Sequence, residues 1–325
     1  MKKISVIIPV YNEEAIVGEL MGRVSDSVKA FPYDFEFILV DDGSADNTLR
    51  VLMGIQERDP RLKILKLSRN WGHQNAYNAG VDYANSDAVI LMDGDLEDPP
   101  ELIGEFLKKW EEGFCIVYAV KRSRQDNKFK KLMISIFYRL MERFSRVHID
   151  RQVGMFSLLD KKVLRELKRF KEKNKYYVGL MSFVGFNRAA VYYDREKRFA
   201  GRPKQTFFKL INYGLDAFFS FSFFPIRLLT YFGIFILAII MIFTSLLIIV
   251  KAFGLHFLVF QDLPDWTSIA LINLGILGVL IIFMGILGEY IARIFDEVKN
   301  RPYYILEDII EPANPGLKKD TNTKI

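Results

Sequence analysis

Asp93 and Asp95 stand two residues apart, directly after the apolar run Ala88-Val89-Ile90-Leu91-Met92. Five apolar residues in succession predict a strand buried on both faces of a parallel sheet, and ligands of such sheets collect at the carboxyl ends of the strands. Two carboxylates at that edge offer hard oxygen ligands to a divalent cation, which can in turn bridge phosphates. A lone Asp-x-Asp is more often an ordinary acidic turn. This pair has company: Val6-Ile7-Ile8-Pro9-Val10-Tyr11-Asn12-Glu13-Glu14 and Phe37-Ile38-Leu39-Val40-Asp41-Asp42-Gly43-Ser44 also pass from apolar residues into polar, turn-forming ones. Three strands that deliver acids to one edge predict a site. Arg122 and Arg124 follow another apolar run, Ile116–Val120, where paired donors could hold a phosphate. Singly, each arginine reads as a solvated surface charge.

The elements that must position these residues read as β-α repeats. Strands are predicted at Ser5–Val10, Glu36–Val40, Lys63–Leu67, Ala88–Met92 and Ile116–Val120. Helices are predicted around Glu13–Lys29, from a capped start at Ser44-Ala45-Asp46-Asn47 to about Arg58, over Gln74–Tyr83, and from Pro99-Pro100 through Trp110. Such alternation predicts an α/β fold with a mostly parallel sheet covered by helices on both faces.

The 325 residues are unevenly composed. Leu228 to Val250 and Thr267 to Gly288 carry no charge. Each would make a helix of about 33 Å, enough to cross a hydrocarbon core of about 30 Å. The expected organisation is a head at 1–205, an interfacial segment at 206–227, two transmembrane helices within 228–290 and a C-terminal tail at 291–325. Lys209 and Arg227 precede the first span, and Arg293, Lys299 and Arg301 follow the second. The loop between them holds Asp262 and Asp265. The positive-inside rule then places the head and both termini in the cytoplasm, on a multi-pass anchor in the cell membrane. No cleavable signal peptide is expected, because Lys2-Lys3 leads into a run too short for one.

Cys115 is the only cysteine, which excludes a disulfide framework and a thiolate metal site. The three histidines are too scattered in sequence for a zinc cluster. A net charge of +6 on a membrane protein points to anionic lipid or phosphate rather than nucleic acid. Residues 128–146 alternate apolar and basic positions at helical spacing, and Phe207–Phe224 holds seven phenylalanines; both suit a membrane surface. Gly275, Gly278, Gly285 and Gly288 would allow close helix packing and leave a homo-oligomer open.

Val6–Glu14, Asp41-Asp42-Gly43-Ser44, Asn78-Ala79-Gly80 and Asp93–Pro100 resemble the family 2 inverting glycosyltransferases of GT-A (Rossmann-like) fold. Ser68-Arg69-Asn70, the 194–204 loop and Gly288-Glu289-Tyr290 narrow the resemblance to the polyisoprenyl-phosphate glycosyltransferases, the group of dolichol-phosphate mannose synthase and the GtrB-type bacterial enzymes. The resemblance spans about residues 4–305. The Gln-x-x-Arg-Trp signature of cellulose and chitin synthases does not occur, since the tryptophans are Trp71, Trp110 and Trp266.

The resemblance implies roles. Pro9, Tyr11, Glu13 and Asp42 match positions that hold the nucleoside. Asp93 matches a ribose-side or metal-side acid, Asp95 the metal ligand, and Glu97 a position usually Gln that also faces the metal. The cofactor implied is Mg²⁺ or Mn²⁺. Arg198, Arg202 and Lys204 resemble the loop that closes over the diphosphate. The donor implied is a nucleotide-sugar, with UDP favoured, and the acceptor is a polyprenyl phosphate such as undecaprenyl phosphate. Asp93, Asp95, Arg122 and Arg124 are the candidate catalytic set. A phosphomonoester with its second pKa near 6 is largely deprotonated at neutral pH, so its oxygen can attack with little help from a base.

One motif departs from the family. Gly-Asp-Phe-Arg-Leu is here Gly154-Met155-Phe156-Ser157-Leu158, so Met155 and Ser157 replace an Asp and an Arg on the acceptor side. That departure keeps a catalytically silent nucleotide-binding membrane protein as one rival. A processive polysaccharide synthase is another, although two spans leave little room for a polymer channel. A phosphohydrolase using Asp93 as nucleophile would leave the other strand-end acids unexplained.

Overall fold

The computed structural model describes residues 1–122, 153–170, 172, 175–194 and 265–312, with scattered helical positions between 231 and 245. Arg124, Arg198, Arg202 and Lys204, the 128–146 and 206–227 segments, and the end of the tail lie outside the described residues. The chain divides into two compact units.

The first unit is built on one sheet. Among the described residues its strands are β1 (Lys3–Val10), β2 (Asp34–Asp41), β3 (Leu62–Leu67), β4 (Ala88–Leu91), β5 (Ile116–Lys121), β6 (Val153–Asp160), β7 (Arg188–Tyr193) and β8 (Leu306–Ile310), in the order β7-β5-β6-β4-β1-β2-β3-β8. The helices are α1 (Val17–Val28), α2 (Thr48–Gln56), α3 (His73–Tyr83), α4 (Ile103–Glu111), α5 (Lys161–Arg169) and α6 (Tyr177–Phe183). The block β4-β1-β2-β3 is parallel, as is the pair β5-β7. The mostly parallel sheet expected from sequence is therefore present, with two strands that run the other way. β6 is antiparallel between β4 and β5, and β8 is antiparallel on the outer edge of β3.

Burial on both faces explains why the strands are continuous apolar runs. Ile4, Val6, Ile8 and Val10 of β1 share a core with Phe37 and Leu39 of β2, Ile90 of β4, and Val17, Leu20 and Val24 of α1. The alternate residues Ile7, Ile38, Val40, Val89 and Leu91 are equally buried. On that second face α3 comes very close to the strands. A Cβ on Gly80 would lie 2.3 Å from Ile7 Cγ2 and 3.2 Å from Val40 Cγ2.

One helix start differs from the expectation. The segment expected to open α1 at Glu13 first forms a turn, with the N–H groups of Ile16 and Val17 both donating to the Glu13 carbonyl at 3.0 Å. The helix proper begins at Val17. At α2 the capping side chain is Asp46, whose carboxylate accepts from the Thr48 N–H at 3.0 Å.

β8 was not visible as a strand in the sequence. It is five residues long and mixed in polarity, and its partners fix it. Gln56 Nε2 donates to the carbonyls of Ile310 (2.7 Å) and Leu62 (3.0 Å), Lys66 pairs with Glu307 at 2.6 Å, and the Tyr83 hydroxyl donates to Glu311. The strand thereby covers the β3 edge, which would otherwise present unpaired N–H and C=O groups.

The second unit contains α7 (Asp265–Val298), 34 residues and about 51 Å long at 1.5 Å per residue. Within its stretch Gly275–Val298 an 18-residue window has a mean hydropathy of 2.1, and the stretch is long and apolar enough to cross a membrane. The second expected span, Thr267–Gly288, falls within this helix. The first, 228–250, lies mostly outside the described residues, and its described positions are helical. Phe232 there meets Phe283 of α7 edge-on, with ring centroids 6.2 Å apart.

Gly80→Ala gains about 1 kcal/mol of helix propensity yet forces a methyl into Ile7, so a net destabilisation of about 1–2 kcal/mol is expected. Thermal unfolding of the full chain in detergent measures it, with Gly22→Ala on α1, where a Cβ meets nothing within 4 Å, as the control expected to gain about 1 kcal/mol.

Candidate active site

The carboxyl ends of β1, β2 and β4 lie side by side, with Val10 opposite Asp41 and Ile7 opposite Leu91. Each strand leaves the sheet through a left-handed residue: Asn12 (φ 53°) after β1, Gly43 (φ 69°) after β2 and Leu96 (φ 55°) after β4. Asn tolerates that region well and Gly freely, whereas Leu does so only under constraint. The constraint is burial. The Leu96 side chain is fully enclosed in the core, while Asp95 and Glu97 on either side stay partly exposed.

The first two loops are sewn together. Asn12 N–H donates to Ser44 Oγ at 3.0 Å, Asn12 Oδ1 accepts from Ala45 N–H at 2.8 Å, and Glu13 N–H donates to Thr48 Oγ1 at 2.8 Å. This fixes the backbone that carries Tyr11 and Glu13. Pro9 touches the third loop, since a Cβ on Gly94 would sit 3.0 Å from the Pro9 carbonyl oxygen. Only Gly lets the acidic turn lie this close to β1.

Asp42 is buried, and its two oxygens accept the N–H groups of Trp71 (2.7 Å) and Gly72 (3.0 Å). Burial pushes its pKa up; the two N–H donors and the His73 charge work against that rise. The position matched to a nucleoside contact thus also anchors the residues that start α3. Arg69 stacks on Trp71 there, 3.8 Å from the ring centroid. Neighbouring Asp41 accepts from Ser44 N–H through Oδ1 at 3.1 Å, and its buried Oδ2 has no partner among the described residues.

Asp93 lies at the end of β4 with His73 Nε2 at 2.9 Å and the Tyr77 hydroxyl at 2.6 Å from its Oδ1. Burial alone would raise the Asp93 pKa, but the His73 charge, these two hydrogen bonds and the Lys121 ammonium lower it to about 2. The protein packed around His73 opposes its charge although the ring is half-exposed, and the Asp93 carboxylate outweighs that and raises the imidazole pKa. Asp95 accepts from Glu97 N–H at 3.2 Å. Among the described residues no three His, Cys, Asp or Glu side chains converge as a metal cage. Asp93, Asp95 and Glu97 instead form an acidic, all-oxygen edge.

Among the described basic residues at the end of β5, Lys121 reaches this edge. Its Nζ pairs with the buried Asp98 at 3.2 Å, and Asp98 also accepts from the Tyr193 hydroxyl. Burial raises the Asp98 pKa, Lys121 opposes the rise and Asp93 adds to it. Arg122, the next residue, pairs with Asp194 at 3.7 Å, both side chains being well exposed. Consecutive residues of a strand point to opposite faces, which separates the two roles. Met155 and Ser157 lie inside the sheet on β6; both are buried, and Ser157 Oγ donates to the Met155 carbonyl at 2.9 Å. Sequence reasoning missed His73, Tyr77, Asp98 and Lys121. The four-residue spacing of His73 and Tyr77 signals a shared helix face, but nothing in the sequence says which strand end that face meets.

Residues 5–168 match glycosyl transferase family 2. The chain is 38% identical to the uncharacterized glycosyltransferase YkcC of Bacillus subtilis strain 168, over 97% of each protein. It is 36% identical to the bactoprenol glucosyl transferase of Shigella phage SfII, over 94% of this chain and 97% of that one. Among solved structures, mannosyl-3-phosphoglycerate synthase from Rubrobacter xylanophilus aligns with a TM-score of 0.47 at 16% identity, over 82% of this chain and 80% of that one.

A Cβ on Gly43 would lie 2.5 Å from the Arg69 carbonyl carbon and 2.7 Å from the Asn70 nitrogen, both backbone atoms. Gly43→Ala is therefore expected to push residues 69–72 away from Asp42, cost about 2–4 kcal/mol and abolish nucleotide binding. Unfolding and nucleotide titration of the same preparation check both effects.

Proposed function

The chain belongs to glycosyl transferase family 2, and from that premise we propose that it moves one sugar from a nucleotide-sugar, a UDP-sugar, onto a polyprenyl phosphate. The observation that carries this reading is Asp93, held ionised at the end of β4 beside Asp95 and Glu97. The near full-length similarity to bactoprenol glucosyl transferases supports the lipid acceptor.

The donor set fits a hard dication. By resemblance, Asp93, Asp95 and Glu97 are the residues that would hold Mg²⁺ or Mn²⁺; their oxygens are the hard donors such a dication takes, although among the described residues the three carboxylates do not converge as a ready-made metal group. When bound, the cation would supply Lewis-acid stabilisation of the departing diphosphate. Tyr11, Glu13 and Asp42 stand on loops tied to each other and to the start of α3, which suits them to hold the nucleoside in one place. Arg122 at the end of β5 is exposed enough to meet the acceptor phosphate, with Arg124, Arg198, Arg202 and Lys204 as further phosphate donors by resemblance. The acceptor oxygen is already anionic near neutral pH and attacks the anomeric carbon in line, inverting it. No general base is required of the position that Met155 occupies.

The fold also supports an orientation. β8, near the C-terminus, pairs with β3 in the same sheet as the N-terminal β1, so both ends of that sheet occupy one side of any membrane. A chain that leaves the sheet after β7 and returns at β8 crosses an even number of times. With the apolar stretch of α7 as one crossing, a second must precede it, and the charge pattern puts the head in the cytoplasm.

Two experiments test this. Purified protein, undecaprenyl phosphate, Mn²⁺ and labelled UDP- and GDP-sugars are expected to give an organic-soluble product that EDTA and Asp95→Ala each reduce at least a hundredfold. Nucleotide binding without turnover would instead support a silent head. Topology reporters fused at the N-terminus and after the C-terminus are expected to report the same, cytoplasmic, face; opposite faces would rule out the pairing of β3 with β8 around a membrane anchor.

A further inference from the structure

We propose that His73 and Tyr77 are positioning residues that lock the Asp93 carboxylate in one rotation, so that a single oxygen, Oδ2, is presented to the donor's diphosphate and its cation. This rests on the reading of the strand edge as a nucleotide-sugar site. His73 and Tyr77 are four residues apart on α3 and so project from one face, with their rings edge-on and centroids 4.9 Å apart. Both address the same atom, Asp93 Oδ1, at 2.9 Å and 2.6 Å. Among the described residues no hydrogen bond reaches Oδ2. The torsion that turns a carboxylate is broad and two-fold, and a free Asp samples it widely. Two donors converging on one oxygen remove that freedom.

The holders are themselves held. Tyr77 is fully buried against Tyr177, ring centroids 6.4 Å apart, and Tyr177 donates to Asn78 at 2.7 Å. Gly80, one turn on, seats the helix against Ile7, and Asp42 ties down the residues before its first turn. A need to satisfy the buried phenol would account for Tyr77 alone. It does not account for His73, whose side chain is 44% exposed and has water available. The second donor makes sense if the orientation of the acid is what matters, because a preorganised first contact needs neighbours that fix its rotamer.

Full-length Tyr77→Phe, His73→Ala and His73→Gln test the proposal. Manganese binding is followed by electron paramagnetic resonance with UDP present and no turnover, alongside KM for the nucleotide-sugar and for polyprenyl phosphate. Tyr77→Phe and His73→Ala are expected to weaken Mn²⁺–UDP binding and raise the donor KM by about tenfold or more, the usual effect of losing a hydrogen bond to a charged group, with the acceptor KM unchanged. His73→Gln, whose amide can still donate to Oδ1, is expected to recover most of the loss. Wild-type binding in both deletions overturns the proposal, as does a fall in kcat with both KM values unchanged, which a merely structural role would give. Absence of Mn²⁺–UDP binding by the wild type overturns it too. If Tyr77→Phe does not fold, the two His73 variants decide. Weakened binding without a lipid product from any donor would sink the transfer reaction and leave this inference standing; normal variant binding alongside a lipid product would do the reverse.

Discussion

Helix α3 can do its work only because Gly80 lets its backbone settle against Ile7 and Val40 with no room for a Cβ. That approach sets where the first turn of the helix ends up. With the far end of α3 seated on β1 and β2, His73 and Tyr77 come over the end of β4, two strands away from β2 in the sheet. The same economy of space recurs at Gly43 against Arg69 and at Gly94 against Pro9. Two glycines thus let loops lie at backbone contact distance and a third seats a helix on strand side chains, and the side chains at the strand edge inherit their positions from those contacts.

An edge that gathers Asp41, Asp42, Asp93, Asp95, Glu97 and Asp98 would repel itself if nothing answered it. The answers are local and unequal. Asp42 receives two backbone N–H groups, yet burial still raises its pKa. Asp98 has Lys121 and Tyr193 and is likewise raised. Asp93 has His73, Tyr77 and the field of Lys121, and its pKa is lowered. Within one small region the environment therefore separates acids that resist ionisation from one that is firmly ionised, a pattern typical of functional sites.

Helix α7 and the sheet are linked through the chain itself. After α7 the backbone returns to the sheet, where Ser68 N–H donates to the Ile305 carbonyl at 2.9 Å and β8 then pairs along β3. Ser68 opens the loop that carries Arg69 and Trp71, the latter bonded to Asp42. The strand that closes the sheet edge thus follows α7 in the chain, and the residue before it is in hydrogen-bond contact with the loop that Asp42 holds. Closing an edge with the last strand also protects a mixed sheet from pairing with other chains.

The family, the alternation of strands and helices, and the acids at the ends of β1, β2 and β4 were all legible in the residues, because burial on both faces writes a strand as an unbroken apolar run and its end as the first charge. The apolar stretch of α7 was legible for the same reason. β6, β7 and β8 were not: β6 is an internal strand whose direction depends on its neighbours, β7 is fixed by its pairing with β5, and β8 is a short edge strand whose pairing is set by Gln56, Lys66 and Tyr83 from far away in sequence. The partners of the acids were equally hidden. That His73 and Tyr77 share a helix face follows from their spacing, but that the face meets Asp93, and that Lys121 rather than Arg122 turns toward Asp98, depends on how closely α3 packs and in which order the strands lie. Sequence determines what each segment buries; only the packed sheet decides which buried edges and charged ends become neighbours, since those contacts join residues that the chain itself keeps apart.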